Sequence, residues 1–395
     1  MTNSTTGTAR NEDAGRTIGN MSVNGSHPLK ITRTQLSDGR ELLFFDDSPK
    51  ALSGEVTRNT EDHRGLPETH TDSEMRRDPL TGRWVVFAAH RMNRTFLPPA
   101  NENPLAPTKE GALPTEVPAE DYDVVVFENR FPSFSLHMDV PEDYADYADE
   151  GELVPRRPAR ARCEVVCFAP NPSVSFKDLS EHRIRTIIEV WAHRTAALST
   201  IDGVQTVFPF ENRGEEIGVT LQHPHGQIYS YPFLPPRISD IMCQIERTPT
   251  LFEDMLNSEL ADGRRIVAET ESFVAFVPAA AKWPLEVMVM PRRQVADFTE
   301  LNDTEKDELT GLLKSLYTAV DNFFDGVEKT PYIAAWNQAP VQHPDRDKFR
   351  MHLQLFSLMR SPHRMKFLAS SESAMGVWIN DTTPEIIAET LRKVW

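Results

Sequence analysis

Within Gly218-Val219-Thr220-Leu221-Gln222-His223-Pro224-His225-Gly226-Gln227-Ile228-Tyr229, two histidines and an amide recur at every second position. On an extended strand alternate side chains share a face, so His223, His225 and Gln227 are expected to project together. A neutral imidazole is nucleophilic toward phosphorus, and the phosphoramidate it forms is reactive enough to pass the group onward, so one histidine can split a transfer into two displacements. An amide such as Gln227 can donate to a non-bridging oxygen where charge develops, without acting as an acid. Glycine beside the nucleophile is expected to let a nucleotide approach the backbone closely. The same spacing equally suits two metal ligands on a strand, and the pattern alone fits both chemistries. Pro224 cannot donate to a sheet ladder, which points to an edge or functional position rather than an ordinary central strand.

The elements that must carry this segment occur twice. In the first copy, Asp123-Val124-Val125-Val126-Phe127 reads as a strand leading into Asn129-Arg130-Phe131-Pro132, and Cys163 to Phe168 as a second strand. Ser180 then opens a helix from about Glu181 to Leu198 through an expected capping box. The second copy runs from Phe273 to Pro278 and Leu285 to Pro291 into a helix from about Thr304 to Phe323. Each copy continues to a third strand, Gln205 to Phe210 or Tyr332 to Trp336, and ends in a histidine-bearing one, His223 to Tyr231 or Arg350 to Leu358. Such a duplication predicts an α+β fold, a mainly antiparallel sheet with one long helix per repeat. The expected division is an N-terminal extension over 1–73, partly disordered, with one strand at Glu41 to Phe45. A nucleophile-bearing repeat over 74–236 and a second repeat over 237–395 follow. The Pro-rich, acidic stretches 97–120 and 139–158 read as long loops, Arg76 to Arg83 as a turn and Trp84 to Ala88 as a strand.

The chain has 395 residues, more than the roughly 250–300 at which single cores stop growing, which fits two packed units. With 42 Lys+Arg against 59 Asp+Glu, a formal net charge of −17 excludes a general electrostatic footprint for nucleic acid. A small anionic substrate held by local arginines remains compatible with it. Three cysteines, Cys163, Cys167 and Cys243, without a Cys-x-x-Cys pair, argue against a disulfide framework. The polar opening residues and the absence of any run of about 18 apolar residues point away from export or membrane spanning, so a cytoplasmic location is expected.

His223-Pro224-His225-Gly226-Gln227-Ile228-Tyr229 resembles the active-site signature of the galactose-1-phosphate uridylyltransferases, a branch of the histidine-triad superfamily built from two such repeats. The resemblance extends through Arg76-Arg77-Asp78-Pro79-Leu80, His90-Arg91-Met92-Asn93-Arg94, Phe127-Glu128-Asn129, Phe210-Glu211-Asn212-Arg213-Gly214 and Lys366-Phe367-Leu368-Ala369. It implies ping-pong transfer. His225 attacks the α-phosphorus of UDP-glucose, glucose 1-phosphate leaves, and galactose 1-phosphate takes the uridylyl group, with Gln227 holding the phosphoryl oxygens. Arg91 and Arg94 would bind phosphate, Asn129 and Phe131 the uridine, and Asn212, Gly218 and Thr220 would form the loop around the phosphates. Lys366, Phe367 and Glu372 would reach the hexose from the partner subunit of a homodimer. No nucleic acid or membrane partner is implied.

Many members of that family bind zinc through a Cys-x-x-Cys pair and two histidines, one at the position of His223. Here residues 95–128 contain no cysteine, and Ala169-Pro170-Asn171-Pro172 stands near the other expected histidine, so no zinc is expected. A second metal site of the family uses C-terminal histidines where this chain has Asn337, Arg350, His352 and Gln354, leaving His352 alone. His223 and His352 are therefore only weak metal candidates, and Cys163 and Cys167 read as small buried residues. Two rival classes stay open. One is a hydrolase or a nucleotide-sugar phosphorylase acting on ADP-glucose and phosphate. The other is a non-catalytic nucleotide-binding protein. Hydrolases of the superfamily carry a third histidine where Gln227 stands, and an amide cannot replace that proton donor.

Overall fold

The computed structural model describes residues 19–23, 26–93, 98–99, 102–138 and 153–395. In chain order the first strands are β1 (Gly19–Val23), β2 (Leu29–Gln35) and β3 (Glu41–Asp46), followed by the short helix α1 (Pro49–Leu52). Strands β4 (Glu74–Arg77), β5 (Trp84–Phe87), β6 (Val124–Glu128), β7 (Arg156–Pro158) and β8 (Cys163–Cys167) lead to helix α2 (Glu181–Ser199). The first repeat closes with β9 (Thr206–Arg213) and β10 (His225–Tyr231). Helices α3 (Pro236–Arg247) and α4 (Leu251–Asp262) precede β11 (Ile266–Glu269), β12 (Phe273–Phe276), β13 (Leu285–Pro291) and helix α5 (Asp303–Asn322). The chain ends with β14 (Tyr332–Asn337), β15 (His352–Ser357), β16 (Met359–Ser361), β17 (Arg364–Met365) and helices α6 (Ser370–Met375) and α7 (Pro384–Val394).

Twelve strands form one antiparallel sheet in the order β1-β2-β3-β6-β8-β10-β9-β14-β15-β13-β12-β11. Around the β9–β14 junction the order β6-β8-β10-β9 is mirrored by β14-β15-β13-β12, the arrangement expected of a duplicated unit joined edge to edge. One face of this sheet carries α2 and α5. There Val124, Val126, Val166, Ile228, Val287 and Leu353 meet Ile184, Ile188, Leu309 and Leu316 in a core continuous across both repeats. Alternation sends the intervening residues to the other face. In the first repeat Val125, Phe127 and Val165 pack under the 102–122 loop with Leu105, Val117 and Tyr122. In the second, Val274, Met288 and Met290 pack under α3 and α4.

Strands and long helices fall close to their expected bounds because their signals are local. The capping differs. Ser180 caps α2 by accepting from the Arg183 N–H at 3.1 Å, but Arg183 offers no carboxylate to return the bond. The reciprocal arrangement lies one turn earlier, where the Asp178 carboxylate accepts from the Ser175 N–H at 2.8 Å, and at α5, where Asn302 and Glu305 cap each other. The N-terminal extension supplies three strands rather than one, with β3 pairing onto β6 from Leu42↔Phe127 to Phe45↔Val124. Two further strands, β4 and β7, pair within the stretches read as a turn and a loop.

Candidate active site

His225 opens β10, pairing with Cys167, the last residue of β8. Its Nδ1 lies 2.7 Å from the backbone oxygen of His223. A carbonyl oxygen only accepts, so Nδ1 carries the proton and Nε2 keeps its lone pair. Burial lowers the imidazole pKa below its ordinary value, with the bond to the His223 carbonyl opposing the shift. The ring is therefore a neutral, fixed tautomer at neutral pH, the form that attacks phosphorus.

His225 borders two cavities. The larger, about 670 Å³, runs along Asn212 to Glu216, Pro172 to Ser175 and Lys329. The smaller, about 150 Å³, brings together Arg91, Asn129, Phe131, Thr220, His225 and Gln227. Six of the residues singled out in the sequence thus share one recess, and Asn212 lies in its neighbour. Arg91 donates from Nη1 to the Phe131 oxygen at 2.8 Å, and the Asn129 side-chain oxygen accepts from the Phe131 N–H at 2.9 Å, so the turn after β6 is braced from both sides. Gly214 (φ +111) permits the turn after β9, where a Cβ would meet Pro331 at 2.6 Å. Gly218 ends the short helical turn that follows and lines neither cavity. Arg94 lies outside the described residues. Lys366, Phe367 and Glu372 stand elsewhere. Lys366 Nζ donates to Glu372 at 3.1 Å and to the Ile379 oxygen, while Phe367 is 82 % exposed.

Three expectations change in detail. His223 does not share the open surface with His225 and Gln227: it precedes the strand and is buried, its ring bonded to Asn103, Tyr122 and the Ala169 oxygen. Pro224 likewise lies just outside β10, so its missing N–H breaks no ladder, and its oxygen accepts from the Phe168 N–H at 3.1 Å. Gly226 serves packing rather than ligand access, because a Cβ there would meet Phe168 at 2.8 Å and the Phe210 oxygen at 3.0 Å. Neither Asn103 nor Tyr122 was marked in the sequence, and their separation from His223 leaves no local spacing signal. The α3 spacing Ile238, Met242, Ile245 did carry such a signal, matching one buried helical face.

The zinc implied by the family does not fit the donors around His223. Both ring nitrogens are engaged, and Ala169-Pro170-Asn171-Pro172, near the other expected histidine, offers no imidazole. The C-terminal set does not fit a metal either. His352 Nδ1 faces the Arg350 oxygen at 3.0 Å, Arg237 donates to Asn337 at 3.1 Å, and Gln354 donates to Glu286 at 2.6 Å. One other cluster, unremarked in the sequence, could offer metal donors: His27, Asp47 and His182, with ligand atoms within 4.8 Å of one another. There Arg183 and Thr186 already hold both Asp47 oxygens, and Thr186 also binds His27. Cys163 and Cys167 are buried, the Cys163 thiol pushed up to about 12 by that burial.

A half-buried, singly protonated histidine at the start of a central strand, bordering two cavities, with an amide two residues on and an arginine in the same recess, is the arrangement that nucleotidyl transfer through a histidine requires. Residues 65–235 match the family model of the galactose-1-phosphate uridyl transferase N-terminal domain, and 242–395 that of its C-terminal domain. A galactose-1-phosphate uridylyltransferase of Streptomyces lividans is 40 % identical over 385 residues, 93 % of this chain and 98 % of that protein. One of Thermotoga maritima is 35 % identical, covering 81 % of this chain and 98 % of that protein. A solved structure of a uridylyltransferase superposes with a TM-score of 0.69 at 29 % identity, covering 81 % of this chain and 98 % of its own. The chain belongs to the galactose-1-phosphate uridylyltransferase family and is a uridylyltransferase.

Proposed function

We propose that this enzyme moves the uridylyl group of UDP-glucose to galactose 1-phosphate through a covalent uridylyl-His225, with residues 74–236 carrying the nucleophile and 237–395 the second repeat. Nε2 of His225 attacks the α-phosphorus. The N–P bond forms as the bond to the bridging oxygen breaks, and glucose 1-phosphate departs with the electron pair. In the second displacement a phosphate oxygen of galactose 1-phosphate attacks, the N–P bond breaks, and neutral His225 returns. A phosphate leaving group needs no proton at neutral pH, which is why Gln227 suffices where a hydrolase needs an acid. As N–P bonding develops, the ring becomes cationic, and the His223 carbonyl 2.7 Å from Nδ1 stabilises that charge. This contact is the observation that carries the reading.

Arg91 is proposed to bind phosphate, with Arg94, and Asn129 with Phe131 to hold the uridine in the smaller recess. Thr220 in the smaller recess and Asn212 on the wall of the larger cavity are proposed to flank the phosphates, with Gly218 shaping the loop between them, and the rest of the larger cavity is left for the hexose. We further propose that the segment of Lys366, Phe367 and Glu372 meets a second copy in a homodimer. Exposed Phe367, Met375, Val377 and Ile379 along it support that. No described helix is long and apolar enough to cross a membrane. A cytoplasmic location is proposed on the three free cysteines. The test is isotope exchange. Labelled glucose 1-phosphate should enter UDP-glucose without any acceptor sugar, and exchange that requires galactose 1-phosphate would rule out the covalent half-reaction.

A further inference from the structure

The environment of His223 assigns the proton on its ring. Asn103 Oδ1 accepts from the Leu105 N–H at 3.0 Å, which fixes the amide so that its nitrogen faces His223. That nitrogen, 2.9 Å from His223 Nδ1, must donate, so Nδ1 is the lone-pair nitrogen and Nε2 bears the hydrogen. Nε2 lies 2.7 Å from the Tyr122 hydroxyl and 2.8 Å from the Ala169 oxygen, both able to accept. The single Tyr122 hydroxyl hydrogen in turn faces the Ala169 oxygen at 2.8 Å and the Leu105 oxygen at 3.2 Å. Neither ring nitrogen is left to coordinate a cation, and His223, Tyr122 and Ala169 are buried, Tyr122 being 1 % exposed, with Asn103 half-buried beside them.

We propose that Asn103 and Tyr122 are positioning residues for uridylyl transfer, acting on His225 through His223. The ring clamp fixes the orientation of residue 223, whose carbonyl, among the described residues, is the group that selects the His225 tautomer. This chain ties the His223 ring with an amide and a phenol. Tyr122 lines neither cavity, so its loss acts on the fraction of His225 presenting Nε2, whereas Asn103 also borders the larger cavity and its variant is read by the His225 tautomer as well as by rate. Outer partners of this type change activity by about 10- to 100-fold when removed.

The experiment compares the wild-type protein with Tyr122→Phe, which keeps the buried ring, and Asn103→Ala, at a half-buried site that tolerates truncation. Two quantities are read: the single-turnover rate of uridylyl-enzyme formation with UDP-glucose, and the ¹⁵N shifts of the His225 ring. Each variant is expected to lose about 10-fold in rate with its KM for UDP-glucose within about two-fold of wild type. The ring shifts should move from an Nδ1–H tautomer to a mixture. Wild-type rates and an unchanged tautomer in both folded variants would overturn the proposal. So would wild-type protein that holds one zinc per chain and loses activity on chelation. The proposal rests on the transferase reading, yet the two fail differently. Wild-type protein that forms no adduct contradicts the reading, whereas the tautomer comparison still decides whether the clamp orients His225.

Discussion

In the N-terminal repeat His225 and Gln227 sit on β10 with Asn212 on neighbouring β9; in the C-terminal repeat His352 and Gln354 sit on β15 with Asn337 on β14. The equivalence is one of register, since Gln227 pairs with Phe210 and Gln354 with Ala335. Even the tautomer is repeated, each histidine turning Nδ1 to the carbonyl two residues before it, at 2.7 Å and 3.0 Å. What differs is the cover. His352 is 2 % exposed, with the rings of Phe252 and Phe349 5.6 and 5.9 Å from its own. Arg237 and Glu286 take the two amides, and the α3–α4 hairpin seals the face. His225 instead lies between the 102–122 loop and the turn after β9, and two cavities reach it. The strand pattern sets the same tautomer in both places, and what separates the proposed nucleophile His225 from His352 is that cavities reach it.

The sharpest way to break this comparison is to remove each histidine in turn. His225→Ala should reduce turnover by at least about 10⁴-fold while the fold persists. His352→Ala should leave turnover within a few-fold and cost stability instead. Comparable activity losses in steady-state assays of the two variants would show that the second repeat takes part in chemistry. The amides come next. Gln227→Ala should slow transfer by on the order of 10²-fold, as for a lost donor to developing charge. Gln354→Ala should spare the rate but lower the melting temperature, because it leaves one oxygen of the buried Glu286 carboxylate without its donor, at a cost of about 1–3 kcal/mol.

A smaller effect is expected where the repeats exchange volume. Gly226 faces Phe168, whereas in the same register the second repeat has Leu353 and Pro291. Gly226→Ala must displace Phe168 and should destabilise by about 1–3 kcal/mol in denaturant unfolding; an unchanged midpoint would mean that the glycine is kept for substrate instead. The smallest effect concerns Glu211, which stands where the second repeat has Trp336. Burial pushes its carboxyl up to about 7, against the hydrogen bond from Tyr332 at 2.8 Å. The unfolded chain releases this proton near 4.5 and the folded one only near 7. The associated stability is complete below 4.5 and is lost as pH rises through about 7. Glu211→Gln should therefore gain on wild type between pH 5 and pH 8 by on the order of 2–3 kcal/mol in thermal melts. A gap that narrows with rising pH would reverse the assignment.

How much of this was legible depended on range. The alternation in Asp123 to Phe127, the helix from Glu181 and the signature around His225 are local, and the duplication follows from hearing the same order of elements twice. β1 and β2 carry weak polar sequences whose strand character comes from pairing with β3, a tertiary cause. The clamp on His223 joins Asn103, Tyr122 and Ala169 across loops with no shared period, and Gly226 acquires its role only from the ring of Phe168. The sealed state of His352 was invisible for the same reason, since Phe252 and Arg237 reach it from helices that precede it by 100 residues or more.

The central claim is that His225 alone carries the nucleotide, and intact-protein mass spectrometry after mixing with UDP-glucose tests it directly. The account predicts one uridylyl adduct per chain, mapping to His225 and discharged by galactose 1-phosphate as UDP-galactose forms. An adduct on any other residue, or its formation only from ADP-glucose with discharge by inorganic phosphate, would contradict it.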